Sequence, residues 1–141
     1  MKAVNKIKMY NDLSDIFYDE LIVDNPYISA EQLHMGSCDV FSYALNQKFG
    51  YEIWRIDCDN SFHMYCKTEY NGKTVYIDAS GMSYRLTDIL PSIISNSKNL
   101  DVDREYKVDN VYLDGEYDLI GLDFAYRYID SYWERFNIMR V

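Results

Sequence analysis

The dipeptide Asn71-Gly72 constrains this chain more than any other pair of residues. It separates HMYCKTEY, residues 63 to 70, from KTVYIDA, residues 73 to 79, and both runs are rich in aromatic and β-branched side chains. A two-residue hairpin loop needs positive φ at both central positions, which Asn and Gly tolerate best, so a type I′ turn is predicted. Such a turn sets the register: Tyr70 faces Lys73, Thr68 faces Val75, Cys66 faces Ile77 and Tyr65 faces Asp78. Because side chains alternate along a strand, His63 shares a face with Tyr65 and Asp78. His63 and Asp78 thereby become diagonal cross-strand neighbours, about 7 Å apart at the backbone. Met64, Cys66, Val75, Ile77 and Ala79 fall on the opposite face, which is apolar enough to be core.

Upstream, Ser37 and Gly50 bracket a predicted helix. A serine at the N-cap can accept from the free N–H groups of the first turn, and a glycine past the last turn can adopt the left-handed conformation that ends it. Between them Val40, Phe41, Ala44, Leu45, Lys48 and Phe49 recur at helical spacing, so one stripe should lie on the core. Cys38 occupies the first turn. There the peptide dipoles and unpaired N–H groups favour a thiolate, the form that attacks a carbonyl, and Cys38 is placed as a nucleophile.

A thiol beside a histidine that a carboxylate orients is the arrangement of nucleophilic acyl transfer. The order Gly36-Ser37-Cys38, then His63, then Tyr76-Ile77-Asp78-Ala79-Ser80-Gly81 resembles the core of the papain-like and transglutaminase-like cysteine enzymes. The resemblance covers about fifty residues. It implies an α+β fold with Cys38 at the N-terminus of a helix packed on a small antiparallel sheet, flanked by N- and C-terminal helices. It also implies Cys38 as nucleophile, His63 as general base and acid, and Asp78 as orienter. Gln32 matches the position at which papain-like proteases carry a glutamine whose amide helps the backbone N–H of the nucleophile to form an oxyanion hole, so Gln32 and the Cys38 N–H are candidates for that role. Asp39 departs from the papain-like pattern, where an aromatic follows the nucleophile. In the first helical turn a carboxylate also complements the dipole.

The implied activity is hydrolysis or acyl transfer at an amide bond, whether a peptide, an isopeptide or a glutamine carboxamide, through a thioester. The alternative is a catalytically silent acidic binding or inhibitor protein that keeps this fold. At 141 residues the chain is read as one domain, residues 1 to 141. That is short for a full two-lobed papain, and the size resembles the papain-like effectors and toxins of bacteria or phage. With 23 acidic against 14 basic residues and a formal charge of −9, nucleic acid and anionic membrane surfaces are disfavoured as partners, and a peptide or protein substrate is preferred. No apolar run suggests a leader or a span, so a soluble cytoplasmic protein is expected, or one delivered into a host or target cell. Three cysteines make no disulfide framework.

No cofactor or metal site is expected. His63 and Cys66 are an odd number of positions apart on one strand and point to opposite faces, which opposes a zinc site that includes Cys58. Cys66 reads as a small buried apolar residue and Cys58 as an incidental loop thiol. His34, the other histidine, reads as a loop residue near the site, with His63 preferred as base.

The remaining elements follow from periodicity. A helix is predicted from Asn11 or Ser14 to before Asn25-Pro26, and a short helical turn at Ser29 to Gln32. Tyr51 to Ile56 reads as a strand, Asp57 to Ser61 as a turn, and Met82 to Leu86 as a loop along the substrate groove. A short helix is read at Thr87 to Ile94, a mobile surface segment at Ser95 to Asp109, and a short strand at Val111 to Leu113. Ile120 to Phe136 carries a helical stripe of Leu122, Ala125, Tyr126, Ile129, Trp133 and Phe136.

Overall fold

The structure, a computed structural model, describes residues 33–34, 36–58, 61–91, 94, 100–113 and 115–138. The expected N-terminal helix, the turn at Ser29 to Gln32, and Gln32 itself lie outside these residues. Helix α1 is Cys38–Phe49 and strand β1 is Glu52–Cys58. Strands β2, Ser61–Tyr70, and β3, Lys73–Asp78, form the hairpin, and β4 is Gly81–Ser83. A 3-10 turn at Leu86–Asp88 precedes β5, Leu100–Val108. Helices α2, Gly115–Ser131, and α3, Trp133–Phe136, follow. The fold is α+β, with an antiparallel sheet of order β4-β3-β2-β1-β5.

The hairpin has the predicted register, with Tyr70 opposite Lys73, Thr68 opposite Val75 and Cys66 opposite Ile77. Asn71 and Gly72 both have positive φ, 52° and 77°, as a type I′ turn requires. Gly50 ends α1 in the left-handed conformation and donates its N–H to the Asn46 carbonyl. Ser37 holds the N-cap position, but its side chain makes no capping hydrogen bond; Asp39 Oδ1 instead accepts from Val40 N–H at 2.9 Å.

Both faces of the sheet are covered. On one, Ile53, Met64, Cys66, Val75 and Ile77 pack with Val40, Phe41, Ala44 and Leu45 of α1 and Phe124, Tyr128 and Ile129 of α2. On the other, Ile56, Cys58 and Tyr65 pack with Ile89, Leu90 and Ile94. The second core explains why His63 and Asp78, expected on a more polar side, are buried.

Several expectations differ from the structure. Leu100 to Val108, read as part of a mobile segment, is a strand paired with β1, with a register shift between Arg55 and Asp57. Cys58 is a buried strand residue rather than a loop thiol, because β1 continues two residues past Ile56. Met82 lies in a strand, since Gly81 to Ser83 pairs back on Asp78 to Tyr76. Val111 to Leu113 forms no strand, and the C-terminal helix begins earlier, at Gly115, and breaks at Tyr132. Among the described residues no helix is long and apolar enough to cross a membrane.

Candidate active site

Two strand positions and one helical residue build the centre. His63 on β2 and Asp78 at the end of β3 point to the same face, and His63 Nε2 lies 2.8 Å from Asp78 Oδ2. The diagonal pair predicted from the hairpin is therefore brought together. His34, in a helical segment four residues before Cys38, puts its own Nε2 2.8 Å from the same Oδ2 and 2.7 Å from the Ile89 carbonyl. The imidazole rings of His34 and His63 meet edge to face, 5.2 Å between centroids. All three side chains are buried, none more than 3 % exposed.

Asp78 is fully engaged. Its Oδ1 accepts from the Ser80 N–H at 2.8 Å and from the Ser80 hydroxyl at 2.5 Å, while Oδ2 faces the two imidazoles. Burial alone would push this carboxyl up. The charge of His34 and the hydrogen bonds from His34 and His63 outweigh that cost and hold it well below the usual carboxylate range. An ionised carboxylate only accepts, so both imidazoles carry a proton on Nε2, and the Ile89 carbonyl requires the same of His34. Supports reach this centre from both sides. Tyr128 on α2 donates its hydroxyl to the Ala79 carbonyl at 2.7 Å, fixing the chain where it leaves Asp78. Asp88, bonded to Ser83 and Arg85, fixes the 3-10 turn that delivers Ile89.

Cys38 opens α1 as predicted and is buried. Its Sγ accepts the backbone N–H of Met64 at 3.4 Å, so its hydrogen-bond donor is a strand amide next to His63 rather than an imidazole. Met64 lies past Cys66–Ile77, the last pair of the β2–β3 ladder, and the sulfur meets the sheet near where β3 stops. The thiol is pushed up to about 11. Burial is the main cause, the Met64 N–H opposes it, and the Asp39 and Asp78 carboxylates add to it. The expected lowering by the helix terminus is thus overridden: desolvation and two nearby negative charges favour the neutral thiol.

His34, Asp78 and His63 are also a set of donors that could hold a metal ion, their ligand atoms within 4.8 Å of one another. The 2.8 Å spacings between nitrogen and carboxylate oxygen are those of hydrogen bonds, and the Ile89 carbonyl calls for a proton on the nitrogen that a metal would need. Cys66 points away from this cluster, buried, with its S–H toward the Ser42 carbonyl at 3.4 Å.

Sequence reasoning missed the role of His34. Its proximity to Cys38 was visible, but its partners, Asp78 and Ile89, are supplied only by the tertiary fold. No protein family matches the chain, and no match to it is found among the curated proteins or the solved structures.

Proposed function

We propose that this protein is a cysteine-dependent hydrolase or acyltransferase of papain-like or transglutaminase-like design, acting on an amide bond. The observation that carries this is the buried His63–Asp78 pair at 2.8 Å, one residue along β2 from the amide that holds the Cys38 sulfur. Asp78 fixes Nε2–H of His63, so Nδ1 is the nitrogen through which proton exchange with sulfur runs. In the reaction, Sγ bonds to the substrate carbonyl carbon while His63 takes the thiol proton. The proton passes to the leaving amine or ammonia as the C–N bond breaks, leaving a thioester. Water then gives hydrolysis or deamidation, and an amine gives transamidation. The Cys38 N–H at the start of α1, with Gln32, is the proposed oxyanion site. His34 acts on the pair as a positioning residue, because it shares the carboxylate oxygen that orients His63.

One observation favours the second reading, an acidic binding or inhibitor protein without chemistry: the buried thiol is neutral, and Asp39 beside it opposes the thiolate. The rate of Cys38 alkylation by iodoacetamide as a function of pH separates the two. An enzyme gives a rate that rises through the imidazole range, about pH 6 to 7, and loses that inflection in His63→Ala. A rate that climbs only toward the thiol value of about 11, unchanged in His63→Ala, would sink the catalytic proposal.

A further inference from the structure

Three of the five large exposed hydrophobic residues among those described, Phe62, Tyr106 and Tyr112, line a single cleft. Phe62 and Tyr106 are 42 % and 44 % exposed and Tyr112 is 84 % exposed, so all three rings present surface to solvent. The cleft also reaches Asp39 and Met64. These are the two residues that flank the Cys38 sulfur, one bonded to Cys38 along the chain and the other donating its N–H to Sγ. Aromatic walls beside the proposed nucleophile suit a substrate side chain rather than bulk water.

The charges in the cleft decide which side chain. Arg55 is engaged locally: it pairs with Asp57 at 2.7 Å and its guanidinium lies 3.9 Å from the centroid of the Phe62 ring. Asp39 has no ion-pair partner among the described residues, and its carboxylate accepts from the Val40 N–H. Burial pushes Asp39 up, and the nearby Asp118 carboxylate adds to it as a second negative charge beside the cleft. A cation set between aromatic faces and such a carboxylate would gain from both. The excess of negative charge over the whole chain draws the same kind of partner.

The geometry points to this cleft as the site for a lysine or arginine side chain of a peptide substrate, held by Tyr106, Tyr112 and Asp39 beside Cys38. The assignment rests on the acyl-transfer proposal for its place in catalysis, but the binding it describes can be measured without turnover. The test uses the Cys38→Ala protein and blocked synthetic peptides that differ only in carrying lysine, norleucine or glutamate at one position. Ring resonances of Phe62, Tyr106 and Tyr112 follow the titration. The lysine peptide should shift those rings and bind about tenfold more tightly than the norleucine peptide, with glutamate weakest. Asp39→Asn and Tyr106→Ala, each checked for native circular dichroism, should remove most of that preference, whereas Asp123→Asn on the outer side of α2 should keep it. Equal binding of lysine and norleucine peptides, shifts confined to other rings, or no shift at millimolar peptide would overturn the assignment. Lysine selectivity in a protein that fails the alkylation test would remove the enzyme and leave the cleft. An imidazole-controlled thiol without lysine selectivity would do the reverse.

Discussion

At the residue scale the decisive group is Asp78. It is a carboxylate with almost no solvent contact, and it survives as an anion because Ser80 supplies two donors and His34 and His63 supply one each. Its folded value is depressed, so the stability it lends is complete above the ordinary aspartate value of about 3.9 and is lost as pH falls through the lower folded value. Asp78→Asn keeps the shape but removes the charge and presents an N–H₂ group where acceptors are needed. Breaking such a buried pair should cost about 3 kcal/mol at neutral pH. Urea unfolding at a series of pH values checks both parts: the wild type should lose stability steeply in the acid range, and Asp78→Asn should start lower and show a flatter acid limb. A variant with the wild-type slope would mean that some other carboxylate governs acid unfolding.

At the scale of elements, what was legible in the sequence was what is local. The Asn71-Gly72 turn and the alternation around it set the β2–β3 register, and the register put His63 and Asp78 on one face. The start and end of α1 were visible from Ser37 and Gly50, though the capping bond of Ser37 was not, since Asp39 makes the nearby side-chain contact instead. Strand β5 was hidden because its sequence, LDVDREYKV, is dense in charge; in the fold Glu105 meets Lys67 of β2, and Lys107 meets Glu52 of β1 at 3.2 Å. The second core was hidden because Ile89, Leu90 and Ile94, in the stretch read as a short helix around Pro91, meet Ile56, Cys58 and Tyr65 only through the tertiary fold. The turn also gives a clean energetic test. A Cβ on Gly72 would meet nothing within 4 Å, so Gly72→Ala pays only for positive φ, about 1 kcal/mol. Thermal unfolding should fall by about 4 °C; a larger loss would show that the turn is strained beyond its backbone angle.

At the scale of the whole molecule, two kinds of electrostatics oppose each other and respond differently to salt. A formal charge of −9 makes the chain repel itself. The radius of gyration for this length is about 14 Å, shorter than the Debye length of about 30 Å in 0.01 M salt and longer than the one of about 8 Å in 0.15 M. Raising the salt across that range should therefore screen most of the self-repulsion. Ion pairs such as Lys107–Glu52 and Arg127–Asp123 are screened too, but exposed pairs of this kind contribute little. The net result should be a melting temperature a few degrees higher in about 0.15 M salt than in about 0.01 M at neutral pH. The His34–Asp78–His63 cluster is shielded from mobile ions by the Ile89, Leu90 and Tyr65 side of the sheet. Salt should leave the acid limb governed by Asp78 at the same pH while it lifts the neutral plateau. Calorimetric melts at matched pH and two ionic strengths read both effects together. A plateau that falls with salt would mean that attractive surface pairs outweigh the excess negative charge. An acid limb that moves with salt would place the governing carboxylate at the surface instead of in the buried cluster.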